Sequence, residues 1–209
     1  MRLKEMKFED QIVQHLKLLD HKGFGVTELR ILNPRPTVAY ADSIEAVVRL
    51  CREMYDQASG FYIGVQPRPL GLFDKAPNSW RPAHSSPEPN CACDGDIEYI
   101  TACFFDIDVV SPQRKQGHPA SEKELLQSFQ AATLLSHEDG LALSSTVCCS
   151  GNGHYVLAPI VPIPVDKGSD VFDVYVFYMD KMKGLIGESH DEQAGEEIQN
   201  WSCFSQHLA

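Results

Sequence analysis

At 209 residues, with 43% apolar and 22% charged side chains, the sequence is long enough for one well-cored domain and is composed like a globular protein. Eighteen basic against 29 acidic residues give a net charge of −11, an unfavourable balance for tight non-specific binding to nucleic acid, and no Lys/Arg run offsets it. No apolar stretch approaches the roughly 18 residues of a membrane span, and the N-terminal MRLKEMKFED has no apolar signal core. Seven cysteines, an odd number with CAC at 91–93 and CC at 148–149, fit reduced thiols better than a disulfide framework. A cytoplasmic protein with no membrane partner is expected.

In chain order, residues 4–19 place Phe8, Ile12, Val13, Leu16 and Leu19 at helical spacing, and the glycines of HKGFG end that helix. VTELRIL (26–32) alternates like a strand and runs into the turn NPRP. Residues 41–60 predict a helix capped by Asp42 or Ser43, with Ile44, Val47, Val48, Cys51 and Met54 as its stripe. GFYIGVQPRP (60–69) predicts a short strand stopped by prolines. Residues 71–96, rich in proline and small polar residues, predict a long loop rather than a packed element.

IEYITACFFDIDVV (97–110) predicts a long central strand, and SEKE at 121–124 is a capping-box signature opening a helix over 121–135. LALSSTVCCSGNGHYVLAPIVPIP (141–164) predicts two strands joined at Ser150-Gly151-Asn152-Gly153. Residues 169–184 predict a helix on whose face Val171, Val174, Phe177 and Tyr178 lie, after the cap-like GSD. The whole reads as one domain over 1–184 with 71–96 as a loop insertion, followed by a polar tail, 185–209. The fold class is α+β around a largely antiparallel sheet.

Asp106 and Asp108 stand two apart in an otherwise apolar strand, so both point from one face. Such a pair makes a cradle for Mg²⁺ or Mn²⁺, hard cations that take oxygen ligands. The alternative is an edge pair facing water. The glycines of Ser150-Gly151-Asn152-Gly153 let backbone N–H groups approach an anion, with His154 and Tyr155 next in line to reach a phosphate or sugar; an ordinary hairpin turn has the same composition. Cys91, Cys93, Cys103 and His84 could ligate zinc, but C-x-C has no second matched pair at finger-like spacing, and zinc is not expected. The local basic residues are Arg35, Arg68, Arg114 and Lys115.

Taken in order, GVTELRIL, FYIGVQPRP, CFFDIDVV, the helix opened by PASEKEL and CCSGNGHYVLAPI resemble the catalytic domain of archaeo-eukaryotic-type primases. The likeness is to the bifunctional primase–polymerase domains of phage, plasmid and prophage replication proteins. It runs from about residue 25 to 164, about two thirds of the chain. The resemblance implies an RRM-like primase catalytic sheet with an N-terminal α/β unit. It also implies primer synthesis or DNA extension from nucleoside triphosphates on a DNA template, using two divalent ions, Mg²⁺ or Mn²⁺. Asp106 and Asp108 would be the catalytic metal ligands, and Ser150, Gly151, Asn152 and Gly153 would line the triphosphate.

The chain departs from that pattern twice. The family's nucleotide-contacting His follows the glycine turn by one further residue, where this chain has Tyr155, with His154 one step earlier. The family's third acidic residue has no counterpart in 165–209, where Asp173, Asp180 and Asp191 are the candidate substitutes and NWSCFSQHLA bears no likeness. A relative truncated before that motif is the expectation. Three readings follow: a metal-dependent DNA primase/polymerase, a catalytically incomplete nucleotide- or DNA-binding module, or an accessory acting through a replicative helicase. The last would need that partner because no G-x-x-x-x-G-K-[ST] occurs in this chain.

Overall fold

A computed structural model describes residues 7–19, 21, 23–32, 35–58, 60–84, 89–108, 111, 118–138, 145–166 and 168–190, with the side chains of 94 and 183–190 excepted. The chain forms two compact units that divide between Thr101 and Ala102. The fold is mixed α+β with two sheets.

In the first unit, helix α1 (Phe8–Leu19) buries Ile12, Leu16 and Leu19 at the spacing expected of an amphipathic stripe. Strands β1 (Thr27–Ile31) and β2 (Thr37–Ala41) pair antiparallel with Leu29 opposite Ala39. Helix α2 (Ile44–Met54) starts where the Ser43 hydroxyl accepts the Ala46 N–H at 3.2 Å. It buries Ala46, Val47, Leu50 and Cys51, and burial pushes the Cys51 thiol up to about 12. Two short strands, β3 (Tyr62–Ile63) and β4 (Arg81–Pro82), pair with β1 and β2, giving the sheet order β3-β1-β2-β4.

Three expectations are corrected here. The strand β2 was not anticipated at all. The strand expected over 60–69 shrinks to Tyr62–Ile63, with Arg68 forming an isolated bridge to Val26. The described residues of the segment 71–96 are packed rather than loose, with 3-10 turns at Leu70–Lys75 and Asp94–Asp96. Its Leu72, Ala76 and Ala92 join Val26, Val38 and Tyr40 in one buried cluster. The packing is possible because the segment's polar backbone finds partners. Tyr40 N–H donates to Ala76 O at 3.0 Å, Asn78 N–H to Tyr40 O at 2.9 Å, and the Tyr40 hydroxyl to Asn90 O at 2.8 Å.

Strand β5 (Tyr99–Ile107) spans the division in the sequence. The second unit continues with helix α3 (Glu122–Ser136), strands β6 (Thr146–Cys149) and β7 (His154–Pro164), and helix α4 (Asp170–His190). Its sheet order is β5-β7-β6, so among the described residues β7 is central and β5 stands at an end, not in the centre as expected. Both faces of β5 are nevertheless largely buried, which is why its sequence reads as a core strand. The predicted capping box is present: Ser121 accepts the Glu124 N–H and Glu124 accepts the Ser121 N–H at 2.7 Å.

Helix α4 forms as predicted but presents another face. Tyr175, Met179 and Met182 are buried, whereas Val171, Val174 and Phe177 are exposed. It runs past residue 185 to His190, and the remainder of the expected tail, 191–209, lies outside the described residues. Among the described residues no helix is long and apolar enough to cross a membrane. The six described cysteines are free thiols.

Candidate functional site

The period of two along β5 sorts its side chains cleanly. Thr101, Cys103, Phe105 and Ile107 share one buried face; Phe104, Asp106 and Asp108 share the other, the two carboxylates only partly buried. On β7, Tyr155 belongs to the second set. Its ring packs on Phe104 with centroids 5.2 Å apart and planes at 38°. Burial, the neighbouring Cys148 and the charge of Asp106 hold the Tyr155 hydroxyl proton above the usual phenol range. Cys148 is the residue directly opposite Tyr155 in the β6–β7 register, and the two side chains hydrogen-bond.

The turn that precedes β7 closes on itself. Ser150 N–H donates to Gly153 O at 3.0 Å, and Gly153 N–H donates back to Ser150 Oγ at 3.0 Å. Gly151 sits at φ +88°, where an L side chain is strained, and its N–H donates to Cys149 Sγ at 3.4 Å. Gly153 is required for a different reason: a Cβ there would collide with Asp108 Oδ1 and come within 2.7 Å of Ile107 O. Asn152 Oδ1 accepts the Ala120 N–H at 3.4 Å, tying the turn to the segment that caps α3. The structure thus brings together Asp106, Asp108, Gly153 and Tyr155, with Ser150, Gly151 and Asn152 in the same turn.

His154 is not part of that group. The register runs without a bulge, Cys149 opposite His154 and Cys148 opposite Tyr155, so alternation turns His154 to the other face. There Ser128 Oγ lies 2.8 Å from His154 Nδ1. Because Ser128 donates its own proton to Leu125 O, the imidazole Nδ1–H is the donor in this bond. Phe129 meets the ring edge-on at 5.4 Å, and burial holds its pKa below the ordinary value. Cys148 and Cys149, expected as strand residues with one of them buried, do lie on β6 but neither is buried, and the hairpin closed at Ser150–Gly153 dictates the pairing of Cys148 with Tyr155.

The chain was compared with family models, curated proteins and solved structures. Nothing matches.

Two carboxylates fit a Mg²⁺ or Mn²⁺ site of the kind completed by substrate phosphates and water, which needs only one or two protein oxygens. Of the candidate third acids, Asp173 and Asp180 are exposed on α4, and Asp191 lies outside the described residues. Among the described residues no three His, Cys, Asp or Glu side chains gather as a metal-binding group, the Cys91, Cys93, Cys103 and His84 set included. Of the basic residues, Arg35 is exposed, Arg114 and Lys115 lie outside the described residues, and Arg68 is fully buried and so is not available to DNA.

Proposed function

We propose that the second unit binds a nucleoside triphosphate through divalent cations on Asp106 and Asp108 and transfers its nucleotidyl group to a DNA primer, as a primase–polymerase does. The observation that carries this reading is the contact of Gly153 with Asp108, which fixes the S-G-N-G turn against the D-x-D strand end. Neither motif is specific alone; their apposition from distant parts of the sequence is what a metal–triphosphate site requires. The chain order β5-α3-β6-β7-α4 with sheet order β5-β7-β6 supports an RRM-like arrangement.

Bound Mg²⁺ or Mn²⁺ would supply charge neutralisation for the phosphates. The chain's own part is positioning. Asp106 and Asp108 present oxygens from one strand face, and Gly153 lets the Ser150–Gly153 turn, whose Ser150, Gly151 and Gly153 N–H groups are engaged locally, stand directly against Asp108. Phe104, which is buried, and Tyr155 pack on one another beside Asp106 and brace the strand that carries it.

The test is calorimetric titration of dATP with Mn²⁺ into the full chain and into Asp106→Asn/Asp108→Asn, followed by primer extension. Binding lost in the double variant, together with Mn²⁺-dependent incorporation, supports the enzyme. Binding without incorporation would instead support a nucleotide-binding module, and incorporation only with an added replicative helicase would support the accessory role. Absence of binding by the intact protein overturns all three.

A further inference from the structure

The face of the β6–β7 hairpin turned toward α3 carries two side chains that the proposed nucleotide site, on the opposite face, does not use. Cys149 stands directly opposite His154, so both project from the same side. The next pair outward is hydrogen-bonded, the Ser150 N–H donating to Gly153 O. In an antiparallel ladder the pair beside a hydrogen-bonded one is the closer, non-hydrogen-bonded kind, with Cα atoms about 4.5 Å apart. Cys149 and His154 are therefore cross-strand neighbours of the nearest type.

Both side chains are already set for coordination. The His154 Nδ1–H donates to Ser128 Oγ, which fixes the ring and its tautomer and leaves the lone pair on Nε2. No donor among the described residues engages Nε2. Cys149 is a free, exposed thiol, and the Gly151 N–H donated to its sulfur holds it beside the turn. His154 is only partly buried, so the pair is open to solvent.

A thiolate sulfur with an imidazole nitrogen suits zinc and its neighbours rather than the hard Mg²⁺ or Mn²⁺. Zn–S of about 2.3 Å and Zn–N of about 2.0–2.1 Å put the two atoms about 3.5 Å apart at a tetrahedral angle. Side chains of a close cross-strand pair can span that distance. We propose that Cys149 Sγ and His154 Nε2 bind a borderline-soft divalent cation of the zinc class. Binding releases the thiol proton to solvent. Among the described residues no third His, Cys, Asp or Glu joins the pair. Water fills the remaining positions, and the site is open and exchangeable rather than a closed structural one.

The experiment is titration of Co²⁺ into the reduced full chain, read by the near-ultraviolet charge-transfer band of a cobalt–thiolate bond. The band should saturate, bleach on addition of Zn²⁺, which binds such ligands more tightly than Co²⁺, and persist under excess Mg²⁺. Cys149→Ser should abolish it, and because Cys149 is exposed that variant keeps the fold. His154→Gln keeps a donor for Ser128 but loses the ring nitrogen. It should weaken Co²⁺ binding at least about tenfold, as even loss of an outer-shell partner does. Cys93→Ser, at the exposed thiol of the C-x-C segment, should leave the band unchanged. No band in the intact chain, a full band in Cys149→Ser, unchanged affinity in His154→Gln, or a band that disappears with Cys93 overturns the proposal.

Discussion

Gly153 stands so close to Asp108 that no side chain fits between them. Gly153→Ala introduces a methyl group that must displace the Asp108 carboxylate or the Ile107 carbonyl. Overpacking of this kind costs about 1–3 kcal/mol, measurable by urea unfolding. On the proposed reading it also lowers Mn²⁺–dATP affinity at least about tenfold, because a metal ligand is displaced (a loss of about 1.4 kcal/mol). A variant that loses stability but keeps full affinity would separate the turn from the site. The histidines give a second residue-scale prediction. Burial lowers the pKa of His15 on α1, and less buried His154 shifts the same way, from an ordinary 6.5. The unfolded chain therefore takes up these protons first as pH falls, so stability is full above about 6.5 and declines below it until the folded imidazoles protonate. His15→Gln, which cannot gain the charge, should show a shallower fall of Tm between about pH 7.5 and 5 than the natural chain. An unchanged slope would mean that other groups govern the acid response.

Helix α4 shows at the element scale what patterning settles and what it leaves open. In VFDVYVFYM nearly every position is apolar, so helical spacing fits more than one face, and the packing chooses Tyr175, Met179 and Met182. Met179→Ala should cost about 2–4 kcal/mol, as for a buried methionine that leaves a cavity. Phe177→Ser, at a position 72% exposed, should stay within about 0.5 kcal/mol of the natural chain. The reverse ranking in chemical denaturation would restore the face expected from sequence. Other elements were legible for definite reasons. The capping box at Ser121 is a local hydrogen-bond pattern, and the opposed directions of His154 and Tyr155 follow from period two alone. By contrast, TVAYA is short and lies between a proline turn and a helix cap, which hides β2. The core residues of 71–96 are mostly alanines at irregular spacing, so no periodicity announces them.

At the scale of the whole molecule the net charge of −11 and the paired carboxylates act in the same direction. A triphosphate approaching Asp106 and Asp108 meets repulsion unless divalent cations arrive with it. Nucleotide alone should therefore leave the thermal transition where it is. Mn²⁺ with dATP at a hundredfold excess over the dissociation constant should raise it by about 5–10 °C. On the proposed reading, two like charges on one strand face repel one another when no metal is bound, and functional groups held at such a cost commonly lower stability. Asp106→Asn/Asp108→Asn removes that repulsion while keeping an acceptor oxygen at each position. The double variant should unfold at or above the temperature of the natural chain and give no shift with Mn²⁺ and dATP. If it instead unfolds markedly earlier, the aspartates are there for the fold. If it keeps the ligand shift, the metal-dependent site lies elsewhere.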